Sequence, residues 1–404
     1  MTTLPNLDDE NVNYVFETAE YVLQNSEERR AGSKGEGQAR HLFLNELIKY
    51  CDETTEQTFT THPGVGTLTQ KLLCVLLIVC VALFSLSVSG GLIFPVVLSL
   101  ISNLLIFCVF VHKFVFDGSR FDFIKSRKKS GNILGKRYSR GETQIRVVLT
   151  AHIDSPQSLR WFFFGNRAPF ILSICAITGN TVLFCSQLFF LFAGAPANTP
   201  FFTFCRSLCL IFIPFYIISI FIVDPKKTAS GVSSSIIPSS VLLSVMKQFF
   251  ESGFRYEKTE VCCLLTGSEY SSKAGSYAFA KKYRRLFSDV KTVFIPIEEI
   301  TTSDKLAVFF RDEKASTNSA EIASVISQAA ENLELQLLKE NEASGIASFS
   351  PFTSQHFPAC SLGTSKKHIS KSVSPTADKL SLVRRKTVGD LGALIIETLN
   401  YYDS

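Results

Sequence analysis

Arg146-Val-Val-Leu-Thr-Ala-His-Ile-Asp154 reads as a buried strand that ends in polar residues. Its adjacent valines favour an extended chain, and its lack of polar alternation predicts burial on both faces, as in an α/β sheet. Residues two apart on a strand point the same way, so His152 and Asp154 emerge together at its carboxyl end. Further along, Glu260-Val-Cys-Cys-Leu-Leu265, Lys291-Thr-Val-Phe-Ile-Pro-Ile297 and Leu306-Ala-Val-Phe-Phe310 repeat the pattern. Helical periodicity is expected over Ile236–Ser252, Ser271–Phe287 and Ala315–Glu340, a further strand at His356–Leu362 and a closing helix at Val388–Tyr402. Upstream, two amphipathic helices are expected, one after Asn11 and one over Glu36–Tyr50, with Arg30–Glu36 as the loop between them. Strand–helix alternation predicts an α/β fold with a mostly parallel sheet flanked by helices. Ligands of such sheets gather at the carboxyl ends of the strands, where His152, Asp154 and Glu269 fall.

Charge-free runs flank the opening stretch on both sides. Leu72–Val111 contains no Asp, Glu, Lys or Arg, nor do Ala168–Cys205 and Ser207–Val223. A helix needs about 20 apolar residues to cross a hydrocarbon core. The first run therefore holds two crossings hinged at Ser89-Gly90-Gly91, and the other two runs hold two more, joined around Ala193–Pro200. The resulting organisation is residues 1–65 as an N-terminal helical part, 66–115 as a first transmembrane hairpin, and 116–165 as the His-x-Asp segment. Residues 166–224 form a second hairpin, and 225–404 the main α/β segment. The hinges are uncharged, whereas Lys71, Lys113, Arg120, Lys125, Arg127, Lys128, Lys129, Arg160, Arg167, Lys226 and Lys227 share the other side. That bias places the α/β segments in the cytoplasm of a multi-pass protein of the cell membrane. Arg206 alone stands near an outer helix start, within snorkelling reach of the interface.

The 404 residues include 11 Cys, without zinc-finger or secreted-disulfide spacing, and the N-terminus lacks the basic-then-apolar pattern of a signal peptide. The net charge of +5 reads as flanking charge, and nothing in the chain points to nucleic acid.

His-x-Asp at a strand end is in isolation better explained by a hydrogen-bonded terminus than by a metal ligand. A second strand ends in a carboxylate at Leu264-Leu-Thr-Gly-Ser-Glu269, before Lys273-Ala-Gly-Ser-Tyr. Together with Ala151-His-Ile-Asp-Ser155 and Glu28-Arg-Arg-Ala-Gly-Ser33, this resembles the di-zinc aminopeptidases, the exopeptidase family that includes glutamate carboxypeptidase and the transferrin receptor. The resemblance implies two zinc ions sharing a bridging Asp and a water, which a Glu deprotonates for attack on a peptide carbonyl. By motif position, His152 corresponds to a metal ligand and Asp154 to the carboxylate that orients it. Glu269 corresponds to the general base, Glu298 to a ligand that is usually Asp, and His368 to the distal His ligand.

Two positions depart from that pattern. Aligning Gly231-Val-Ser-Ser-Ser235 with the family's turn puts Ser234 where the bridging Asp belongs, 269 − 234 = 35 residues before the base. The alternative alignment puts Lys227 there, at 269 − 227 = 42 residues. Tyr270 replaces the metal-binding Glu that follows the base. Serine brings no charge, and a neutral phenol is a poor ligand for a divalent ion. The expected cofactor is zinc, one ion rather than two, or none. The expected protein is a degenerate membrane-anchored peptidase relative, against the alternatives of an active zinc aminopeptidase and a non-catalytic scaffold or peptide-binding module. Its expected partners are the lipid bilayer and peptides or proteins in the cleft; His356 is given no role.

Overall fold

In a computed structural model of the chain, the described residues are 9–112, 127–159, 168–300, 303, 305–311, 319–342, 349–365 and 378–404. They divide into two units, each built from separate stretches: Met1–Pro63, Ser126–Ser158 and Lys226–Ser404, and Gly64–Lys125 with Leu159–Pro225.

The strands are β1 (Glu53–Thr61), β2 (Lys128–Arg137), β3 (Ile145–His152), β4 (Gln157–Leu159), β5 (Val223–Thr228), β6 (Thr259–Thr266), β7 (Lys291–Pro296), β8 (Leu306–Arg311), β9 (Leu337–Glu342) and β10 (Ser361–Thr364). The central sheet of the first unit runs β1-β2-β6-β3-β7, and β10-β8-β9 forms a second sheet. Parallel bridges Phe294–Ala359 and Ile297–Leu362 join the two across β7 and β10. β4 pairs with β5. The sheet is mixed rather than mostly parallel: β6, β3 and β7 are parallel, as are β8 and β9, but β1–β2, β2–β6 and β10–β8 are antiparallel. The additional antiparallel edge comes from Glu53-Thr-Thr-Glu-Gln-Thr-Phe-Thr-Thr61 and Lys128-Lys-Ser-Gly-Asn-Ile-Leu-Gly-Lys-Arg137. These carry few apolar residues, so the signal of a buried strand is missing from them.

The apolar strands are buried on both faces, and side chains alternate between two cores. Val147, Leu149, Cys263, Leu265 and Ile295 face one core, with Val15 and Val22 of helix Asp9–Asn25, Phe43 and Leu47 of helix Lys34–Tyr50, Met246 of helix Ile237–Glu251 and Leu394 of helix Arg385–Asp403. Val148, Cys262, Leu264 and Phe294 face the other, with Phe279 of helix Ala274–Tyr283 and Phe352.

Three elements differ from the sequence expectation. The helix expected over Ala315–Glu340 runs only over Ala320–Asn332, and β9 follows. Glu334 in a left-handed conformation (φ +55°) ends it, and the alternation of Leu333, Leu335 and Leu337 then suits a strand. Ser271–Phe287 holds a shorter helix, Ala274–Tyr283, because Ser272 and Lys273 adopt φ +56° and +55°. Residues 350–357 form a helical turn and a bend instead of a strand; pairing begins at Ala359.

In the second unit, helices Val65–Gly90, Ile93–Phe110, Ile171–Phe192 and Pro200–Phe221 are long and apolar enough to cross a membrane. The last is interrupted between Leu210 and Ile213, just before Pro214, whose missing N–H and ring disfavour a continuous helix. Leu77, Phe84, Val88, Leu183, Phe190, Phe202 and Tyr216 form the interior. Arg206 donates to Ser89 Oγ at 2.8 Å.

Candidate functional site

The carboxyl ends of β3 and β6 hold the central residues of the site. His152 closes β3, and its Nδ1 lies 3.1 Å from Asp154 Oδ1. Both side chains are buried, Asp154 completely. The other Asp154 oxygen accepts the Tyr270 backbone N–H at 2.9 Å, so one carboxylate ties the end of β3 to the loop after β6. Burial pushes the His152 imidazole down. The Asp154 hydrogen bond and the charges of Asp154, Glu269 and Glu298 outweigh it, holding the imidazole above its ordinary value.

Glu269 is buried in the same loop. Its Oε1 accepts the Ser276 N–H at 2.7 Å and hydroxyl at 2.8 Å, whereas Oε2 has no partner among the described residues. Burial and the Asp154 charge raise its carboxyl, against the two Ser276 bonds. Gly275 makes this approach available: a Cβ there would stand 2.2 Å from Gly267 O and 3.1 Å from Glu269 Oε1.

The loop Gly267–Lys273 is strained and anchored. Ser268, Ser272 and Lys273 have φ +57°, +56° and +55°, a region that non-glycine residues seldom adopt. Such strain persists where the surroundings over-determine it. Here Ser268 N and Oγ both donate to Glu36 Oε1, Ser271 Oγ accepts from Thr61 Oγ1 at 3.0 Å, and Lys273 Nζ donates to Ser350 Oγ at 3.1 Å. Burial and Asp154 push Glu36 up to about 7, against the Ser268 and Gly32 hydrogen bonds.

Ser234 stands opposite, in a π-helical turn over Val232–Ile236 that opens helix Ile237–Glu251. Gly231, at φ +63°, lets the turn lie against the segment after β3; a Cβ there would meet Ser155 Cβ at 2.8 Å. Ser234 is buried beside the Tyr270 hydroxyl, and the Tyr270 ring meets the His152 ring edge-on at 5.3 Å and 77°. Lys227 is exposed on β5, outside this turn.

Glu298 is buried after β7, where its Oε1 accepts from Ser361 Oγ at 2.7 Å. His368 lies outside the described residues. His356 sits in a left-handed bend (φ +66°), its N–H donating to Thr353 O at 2.9 Å.

Three participants escaped the sequence reading. Asp378 accepts Val232 N at 2.8 Å, Ser233 N at 3.0 Å, Ser233 Oγ at 2.8 Å and Ser230 Oγ at 3.0 Å, fixing the turn that carries Ser234. Burial raises its carboxyl against those bonds. Arg29 is buried, donating to Ile153 O at 3.1 Å and to Ser230 O; burial lowers it to about 10, against the charges of Asp378 and Asp154. Glu36 had a local signal in Ser33-Lys-Gly-Glu36, the spacing of a capping box, and its Oε2 accepts the Gly32 N–H at 2.7 Å. Asp378 had none, being isolated from its partners in the chain.

Zinc, which the resemblance implies, requires three or more converging N, O or S ligands. Among the described residues, no group of three His, Cys, Asp or Glu is placed to hold a metal ion. Ser234 and Tyr270 bring a hydroxyl and a phenol to this group, neither of them a carboxylate. The described residues therefore do not fit a two-zinc centre.

No protein-family model and no curated protein matches the sequence. Solved structures share the fold at low identity. A Zn-dependent exopeptidase from Parabacteroides distasonis aligns over 98% of this chain and 99% of that chain, at TM-score 0.55 and 11% identity. The zinc aminopeptidase BSAP from Bacillus subtilis aligns over 99% and 96%, at 0.55 and 11%. A glutaminyl cyclase from Bacteroides thetaiotaomicron, bound to N-acetylhistamine, aligns over 98% and 99%, at 0.56 and 9%. The chain thus has a zinc-exopeptidase-like fold, a central sheet flanked by helices.

Proposed function

We propose that this is a membrane-anchored, degenerate relative of the zinc exopeptidases in which metal-dependent peptide hydrolysis is weakened or lost. The observation that carries the reading is that Ser234 and Tyr270, neither of them a carboxylate, stand beside His152, with no three-ligand group among the described residues. What remains at the strand ends is a buried His152–Asp154 pair and the Glu269 carboxylate, whose Oε2 is left to accept a hydrogen bond from a peptide or a partner protein's segment that reaches them. The four apolar helices support a multi-pass anchor, and the lysines and arginines flanking them support a cytoplasmic position for the α/β unit.

One observation favours the active alternative, an aminopeptidase acting on cytoplasmic peptides. Glu269 Oε2 has no partner among the described residues, the state a general base needs. Zinc content of the detergent-purified chain and hydrolysis of aminoacyl anilides separate the two. The degenerate reading expects at most one zinc per chain and weak or no turnover; two zincs with full turnover would overturn it. Ser234→Asp combined with Tyr270→Glu is expected to gain zinc affinity, and no gain would refute the assignment of these two positions.

A further inference from the structure

The strained loop after β6 has one side chain that the proposed activity does not use. Tyr270 is held from two directions, its backbone N–H on Asp154 and its ring edge-on against His152, and its hydroxyl lies beside Ser234, whose Oγ has no hydrogen-bond partner among the described residues. The left-handed residues Ser268, Ser272 and Lys273, on both sides of it, are fastened to Glu36 and Ser350 or lie in the same tight turn. The Ser271 N–H donates to Ser268 O at 3.1 Å and the Lys273 N–H to Glu269 O at 2.8 Å, which closes that turn on itself. A side chain fixed in this way has little freedom to swing aside.

We infer that Tyr270 is a built-in plug: its phenol fills the space between His152 and Ser234 and joins the ends of β3 and β6 to the turn at 232–236, the mechanical task a bound ion would perform. Three elements that approach without a converging ligand set are bridged here by one aromatic ring. The ring supplies contact area to His152, and the hydroxyl presents a neutral polar end on the Ser234 side. A cation entering between these residues would have to displace the ring while the loop resists. The inference rests on the degenerate reading only in taking the site as short of ligands, and it makes a separate claim about stability.

The test uses the full chain in detergent, with thermal unfolding measured in zinc and in EDTA. For the wild type, EDTA is expected to leave the melting temperature unchanged. Tyr270→Ala is expected to lower it by about 5 °C or more, as removal of a packed aromatic ring does. Tyr270→Phe, which keeps the ring on His152, is expected to lose less than half as much. A chelator-sensitive wild type, or a Tyr270→Ala protein as stable as the wild type, would overturn the plug. Should Tyr270→Ala fail to fold, the chelator arm and the Phe variant still decide. Aminoacyl-anilide hydrolysis is scored in parallel: turnover by a chelator-insensitive chain would sink the degenerate reading and leave the plug standing. An inactive, zinc-free chain indifferent to Tyr270→Ala would do the reverse.

Discussion

The strand-end site and the interior of the helical unit both bury polar groups among apolar side chains, but of different kinds. At the site, Arg29, Glu36, His152, Asp154, Glu269, Glu298 and Asp378 are each no more than 6% exposed. Among the described buried residues of the helical unit, the polar ones are hydroxyls and amides, led by Ser99, Asn103 and Gln187, and none is charged. The difference follows from what the backbone can offer. Strand ends and tight turns leave N–H groups outside the ladder, and Asp154, Glu36 and Asp378 each accept from such groups. Past its first turn a helix uses its own N–H groups internally and has none to spare for a carboxylate. Irregular backbone is thus what makes buried charge tolerable here.

The sharpest way to break that comparison is to remove the carboxylate with the most donors. Asp378→Ala would leave the Val232 and Ser233 N–H groups buried without an acceptor and Arg29 without one of its two neutralising charges. The expected loss is about 3–5 kcal/mol, the range for breaking a buried charged network. Denaturant unfolding of the full chain measures it, and Asp378→Asn, which keeps one acceptor, should lose less. A loss under about 1 kcal/mol would mean that the turn at 232–236 holds itself.

Proton linkage sharpens the same contrast. The Glu36 carboxyl stands at about 7 in the folded chain against an ordinary 4.5, so between those values the folded state holds a proton that the unfolded state has released. Its stabilising contribution is therefore complete below pH 4.5 and lost as pH rises through 7. His152, Glu269 and Asp378 are also raised, so their contributions have the same sign. The gap at Glu36 corresponds to about 3 kcal/mol at most. Melting temperature should fall from pH 5 to pH 8, and Glu36→Gln should flatten the fall. Stability that rises over that interval would contradict the assignment.

The same physics sets what was readable beforehand. Val147–Leu149 and Val261–Leu265 announce buried strands because both faces of the sheet are covered, and the four apolar helices announce themselves by length and composition. His152 and Asp154 were legible because a strand puts alternate residues on one side. β1 and β2 were not, since Thr, Lys and Gly give no apolar run, and β9 was hidden in the tail of an amphipathic pattern. Asp378 was illegible for a different reason. It meets Val232 and Ser233 across some 145 residues, and no local spacing encodes a partner that distant.

The smallest expected effect lies in the helical unit, and its smallness is the point. Gln187 donates to Ser99 Oγ and accepts from Asn103 Nδ2 at 3.3 Å, and Ser99 Oγ in turn donates to Cys80 O at 2.7 Å. This chain of neutral groups links helices Val65–Gly90, Ile93–Phe110 and Ile171–Phe192. Gln187→Leu would remove one member, yet Ser99 keeps its carbonyl and Asn103 keeps a bond to Asn180 O at 3.4 Å. Interhelical hydrogen bonds in bilayers average about 0.6 kcal/mol, because separated helices also find partners for their polar groups. The expected loss is accordingly below about 1 kcal/mol, several-fold less than at Asp378, and unfolding in mixed micelles would measure it. A loss as large as that of Asp378→Ala would mean that the neutral seam, and not the charged strand ends, dominates the stability of this protein.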